Sequence, residues 1–60
     1  MTEYYYRWLH VPTGKSGVRS RAFVSRKAFL DALVKWNRMD SRWIYREAIH
    51  WEIRQGVDNS

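Results

Sequence analysis

YYYRWLHVPTGKSGVRSRAFV, residues 4 to 24, decides the fold. Its first run, Tyr4–Val11, is aromatic and ends against Pro12, which has no N–H to give to a sheet ladder. That run reads as a strand that stops at the proline. Val18–Val24 is a second run of strand character, and PTGKSG between the two supplies the turn of a β-hairpin.

The same turn contains Gly14-Lys15-Ser16, the end of a phosphate-binding loop signature. The full signature, G-x-x-x-x-G-K-[ST], needs its first glycine for the ring of backbone amides that surrounds the phosphates. Leu9 stands in that place here. A strand is expected to follow rather than a helix, so no helix N-terminus would face the anion. The stretch therefore reads as a turn, with Gly14 and Gly17 at positive φ and Lys15 and Ser16 exposed at the tip. Contact between that charged tip and a nucleic-acid backbone is the weaker claim that survives.

Two hairpin registers are open. With Pro12 facing Gly17 and Val11 facing Val18, Trp8 lies opposite Arg21, His10 opposite Arg19 and Tyr6 opposite Phe23. One face is then aromatic and arginine-rich, while Tyr5, Leu9, Val11, Val18, Ala22 and Val24 form the other, small enough to receive a helix. A one-residue shift places Trp8 against Ala22 in the core and lines the outside with Arg7, Leu9, Arg19 and Arg21. Both registers direct Arg19 and Arg21 away from the helix.

Beyond the hairpin, Ser25 reads as a helix N-cap. In RKAFLDALVKWNRM the apolar Phe29, Leu30, Leu33, Val34 and Trp36 gather on one side, and Lys27, Asp31, Lys35 and Arg38 on the other. Asn37 and Asp40 supply the stop and the turn. From Trp43 to Ile53 the pattern alternates, with Trp43, Tyr45, Ile49, Trp51 and Ile53 on one parity, which predicts a third strand. A helical reading that stacks Ile44, Ala48 and Trp51 is the competitor. QGVDNS, residues 55 to 60, reads as a polar tail.

The fold class predicted is α+β: one small ββαβ domain over residues 1 to 60, in which a hairpin and a C-terminal strand make a three-stranded sheet with one helix packed on one face. The third strand pairs either with the first, antiparallel, or with the second, parallel, through a right-handed crossover. Three strands and a helix meet the minimum for independent stability.

Sixty residues bury only about 60% of their unfolded surface, which confines the chain to one core. Without cysteine there is no disulfide framework and no thiolate zinc site, and a reducing interior suits the composition. No basic leader and no apolar run of membrane length is present, so the protein is expected to be cytoplasmic, with no membrane partner. The net charge of +5 lies wholly within the first thirty residues, as the later basic and acidic residues balance. Such asymmetry points toward a polyanion.

No catalytic constellation is legible. His10 and His50, neighbours if the first and third strands pair, lack the third ligand a metal site needs. No serine stands with a base and an orienting acid, and Asp40 with Glu47 makes no convincing acid/base pair. An enzyme is not expected, nor a cofactor or a metal. Nucleic-acid binding is expected instead, with Arg7, Lys15, Arg19 and Arg21 meeting phosphates, Tyr6 and Trp8 offering stacking surface, and Arg26 and Lys27 extending the basic patch. A two-stranded ribbon entering a major groove would use the same residues, leaving DNA against RNA open. The alternative is a protein-binding module, an inhibitor or adaptor, or a homodimer, since Trp, Tyr and Arg dominate interface hot spots. A purely structural role for the Trp8 and arginine pairs is the third reading.

Overall fold

β1 (Thr2–His10) is the middle strand of a three-stranded sheet, flanked by β2 (Lys15–Phe23) and β3 (Trp43–Glu47), both antiparallel to it. The computed structural model describes residues 1 to 57. A helix, α1 (Arg26–Met39), joins β2 to β3, and a short helix, α2 (His50–Gln55), follows β3. The α+β class, the hairpin and the helix packed on the sheet are as the sequence predicts. The choice left open for the third strand falls to antiparallel pairing with β1. Among the described residues no helix is long and apolar enough to cross a membrane.

α1 begins where Ser25 accepts the Ala28 N–H on its hydroxyl at 3.1 Å, satisfying an amide that has no partner within the helix. Phe29, Leu33 and Trp36, spaced at four and three residues, form the stripe toward the sheet. Leu30 and Val34, expected on the same side, lie about a quarter turn or more round the helix and are 38% and 51% exposed. At the far end Asn37 fixes the outer edge of β3: its Oδ1 accepts the Tyr45 N–H at 2.7 Å and its Nδ2 donates to the Tyr45 carbonyl at 2.9 Å. A side-chain amide thus takes the place of a further strand.

The register differs from both expected ones. The turn is Val11–Gly14, closed by the Gly14 N–H donating to the His10 carbonyl at 2.8 Å, with Gly14 at φ +72°. β2 therefore starts at Lys15, and Trp8 faces Gly17, Tyr6 faces Arg19 and Tyr4 faces Arg21. Gly14-Lys15-Ser16 leads into a strand. Gly17 does not have positive φ; it is needed because the Trp8 indole lies across it. A Cβ at this position would sit 2.8 Å from Trp8 Nε1 and 2.9 Å from Cζ2. Gly17→Ala is expected to destabilise by about 1–3 kcal/mol, as overpacking does, although alanine suits a strand better than glycine. A lower urea midpoint checks this; an unchanged or higher one would mean the indole relocates without cost.

The alternation from Trp43 onward ends at Glu47. The Ala48 N–H still donates to the Tyr5 carbonyl at 3.0 Å, but the chain then turns into α2. The cause is Glu52, whose Oε1 accepts the Ile49 N–H at 2.9 Å, the reciprocal half of a capping box. The predicted strand through Ile53 is thus corrected to a strand and a one-and-a-half-turn helix. Ile49 and Trp51, which share the parity of Tyr45 in the predicted strand, are exposed. Of the predicted tail, Gln55 ends α2, and residues 58 to 60 lie outside the described residues.

Candidate functional site

Side-chain alternation gives the sheet two faces with different chemistry. Tyr4, Tyr6, Trp8 and His10 of β1 share one face with Lys15, Gly17, Arg19, Arg21 and Phe23 of β2 and with Trp43 and Tyr45 of β3. This face receives α1: Tyr4 stacks on Phe29 at 5.1 Å between centroids, and Tyr6 and Tyr45 meet Trp36 at 5.2 and 5.3 Å. The aromatic and arginine-rich side is therefore the helix side, contrary to the expectation that Arg19 and Arg21 point away. Aromatic rings bury roughly 150–250 Å² each, so covering them gains more than covering the small residues opposite.

The helix does not cover the whole face. Its backbone runs closer to β3 than to β2, and although Phe23 of β2 reaches Phe29 and Trp36, a groove remains along the β2 side. There the Arg19 guanidinium carbon stands 5.2 Å from the Trp8 ring centroid and that of Arg21 5.6 Å from the Trp36 ring. A cavity of about 170 Å³ is lined by Tyr6, Arg19, Arg21, Trp36 and Tyr45. Beyond Trp36 and Tyr45 lies a second, of about 220 Å³, lined by those two rings with Met39, Asp40 and Trp43. Burial pushes the Tyr45 phenol above its ordinary pKa, so it is a neutral wall at neutral pH. Trp43 is held between rings, 5.7 Å from Trp8 and 4.4 Å from His10.

The eight residues expected to bind nucleic acid are divided by the fold. Tyr6, Trp8, Arg19 and Arg21 meet at the groove, with Lys15 on the same face of β2 beside the turn. Arg7 is on the opposite face, donating to Glu52 Oε2 at 2.9 Å and to Ser16 Oγ at 2.8 Å. Arg26 makes a two-pronged pair with Glu47 at 2.6 and 2.7 Å, which raises its pKa, and Lys27 lies 3.9 Å from Asp31. None of these three lines the groove, and each has an acid beside it. Trp36 and Tyr45 line it and are absent from the expected set, as is Trp43 beside them. The period of α1 marked Trp36 as inward-facing, but only the β1–β3 pairing brings Trp43 and Tyr45 alongside.

The opposite face is a second charged centre. Arg7 and Arg46 stand directly across β1 and β3, an arrangement that repels unless an anion lies between. Glu52, 2% exposed, supplies it: Arg46 donates to Oε1 and Oε2 at 2.9 and 2.8 Å, and Arg7 to Oε2. Those bonds, Arg46's foremost and then the Ile49 amide, hold the carboxyl down at about 2. His10 and His50 are not brought together, for His10 faces Trp43 and donates to or accepts from Thr13 Oγ1 at 2.7 Å, while His50 opens α2. No three His, Asp or Glu side chains among the described residues lie close enough to share a metal ion. Compared with known proteins, the chain matches no family model, no curated protein and no solved structure.

Proposed function

We propose that the protein binds single-stranded nucleic acid along the groove between β2 and α1, as a cytoplasmic binding protein and not an enzyme. The observation that carries the reading is the pair of arginines two residues apart on β2, each guanidinium over an indole, at the rim of an aromatic cavity. Lys15 and Arg21, both exposed, attract phosphates along the strand, where the facing β1 residues His10 and Tyr4 bring no acid, and Arg19 stands between them over Trp8. A guanidinium lying on a ring directs its N–H groups outward in its own plane, which suits Arg21 to a phosphate oxygen. Tyr6, Trp36 and Tyr45 then offer edges and faces to one unstacked base. A groove of this size receives a base and not a duplex.

Fluorescence anisotropy with single-stranded and duplex oligonucleotides at two salt concentrations tests this. Binding is expected to favour the single strand and to weaken steeply with salt. Arg21→Ala and Arg19→Ala each reduce the slope of log K against log salt by about 0.7, the value for one phosphate contact on a single strand. An unchanged slope in both variants would remove β2 from the site, and absent binding would end the reading. One observation favours a protein partner or self-association instead: Trp51, the single exposed tryptophan, is 54% exposed beside the half-exposed Ile49. Solution mass recorded in the same experiment decides it, since a dimer lost in Trp51→Ala places association on α2.

A further inference from the structure

The cavity at the end of α1 has a different chemistry from the groove beside it, and we infer that it binds a methylated ammonium group such as a trimethylammonium headgroup. Trp36, Trp43 and Tyr45 wall it, with Met39 and Asp40 completing the lining, and none of the five is a cation. Trp43 and Tyr45 stand nearly parallel, 15° apart, and Trp36 meets Tyr45 at 65°, so the three rings that line the space lie in two different orientations. Aromatic faces carry negative potential and attract a cation within about 6 Å of the centroid. On the β2 side the protein's own guanidinium groups already use that attraction, at Trp8 and Trp36. At the α1 end a ligand must supply the cation.

A further feature favours positive charge there. The cavity lies at the C-terminus of a fourteen-residue helix, where the last carbonyls form the negative end of the macrodipole. Asp40, the residue capping that end, is ionised, but the Arg42 guanidinium whose hydrogen bonds hold it below its ordinary pKa balances its charge, so the rings and the helix terminus carry the preference.

The same bonds select among cations. Arg42 donates through Nε and its backbone N–H to Oδ1 and through Nη2 to Oδ2, so both carboxylate oxygens are engaged. A primary ammonium would bring three N–H donors to aromatic walls that cannot accept them, so stripping its water would be compensated only in part. A quaternary ammonium has no N–H to satisfy and presents methyl groups to the rings. At about 220 Å³ the space suits a headgroup rather than a whole cofactor. This site does not depend on the nucleic-acid reading, although the two cavities share Trp36 and Tyr45.

NMR titration of the indole N–H signals of the full chain with choline, at constant ionic strength, tests the site. A saturable shift of the Trp36 and Trp43 signals is expected, with a dissociation constant of roughly millimolar order. The neutral isostere 3,3-dimethyl-1-butanol and ammonium chloride are expected to bind at least about tenfold more weakly, because the first lacks the charge and the second needs acceptors. Asp40→Asn retains an oxygen for the Arg42 turn and is expected to weaken choline several-fold. Equal binding of choline and its isostere would reduce the cavity to an apolar crevice and overturn the proposal, as would no shift at all. Because both comparisons use the wild-type protein, they hold whatever happens to the folding of ring variants. Choline binding without oligonucleotide binding would leave this site standing and the proposed function not, and the converse separates them equally.

Discussion

Phe29→Ala is expected to remove more than half of the protein's stability. Phe29 is the one large side chain wholly buried among the described residues, at 0% exposure, stacked on Tyr4 and tilted against Phe23 at 5.4 Å. It joins the central strand, the edge strand and the helix at one point. Removing a buried phenylalanine costs about 3–5 kcal/mol, transfer and cavity together. Native stability scales near 0.05–0.15 kcal/mol per residue, so a sixty-residue chain has roughly 3–9 kcal/mol in all. The loss therefore takes more than half of a mid-range total of about 6 kcal/mol. Phe29→Leu, which retains most of the volume, should fold with a lower urea midpoint. A Phe29→Ala midpoint near that of the wild type, read by circular dichroism, would show that the aromatic layer closes over the gap.

The dominance of that residue explains which parts of the fold the sequence made legible. Ser25 as a cap and the Phe29, Leu33, Trp36 period are local, and they specify α1 without knowledge of anything else. The existence of a hairpin is local too, as Pro12 and Gly14 turn the chain whatever it packs against. Register and facing are not. The true pairing brings Gly17 rather than Arg21 to Trp8, four positions from the symmetric expectation. An even shift retains the division of side chains between faces, which is why Tyr6, Trp8, Arg19 and Arg21 stay together. Which of those faces takes the helix follows from burial, and the rings outweigh the valines and alanine opposite. Arg7 has the opposite parity to Tyr6 and Trp8, which sends it to the other face. There it awaits a partner, Glu52, forty-five residues along, that no local pattern connects to it.

Glu52 accounts for the largest acid sensitivity expected of the protein. Its carboxylate accepts from Arg7, from both prongs of Arg46 and from the Ile49 amide, and it holds α2 to the face of the sheet that α1 does not cover. The folded-state pKa, at about 2, is depressed below the ordinary 4.5. A depressed carboxylate stabilises the fold fully above its unfolded pKa, and that contribution is lost as pH falls from 4.5 toward 2. Glu52→Gln is isosteric and uncharged: it leaves Arg7 and Arg46 facing each other with no anion, and its NH2 group meets a guanidinium that cannot accept. Lower stability at neutral pH is expected, with the wild-type advantage constant down to about pH 5 and shrinking toward nothing near pH 2. Asp40, also depressed by its arginine, gives both proteins a shared acid dependence, so the difference between them isolates Glu52. Urea midpoints of the two proteins from pH 7 to pH 2 supply the test. An advantage that stays constant across the whole range would mean that Glu52 acts through its shape and its bond to Ile49, and that the two arginines tolerate each other without its charge.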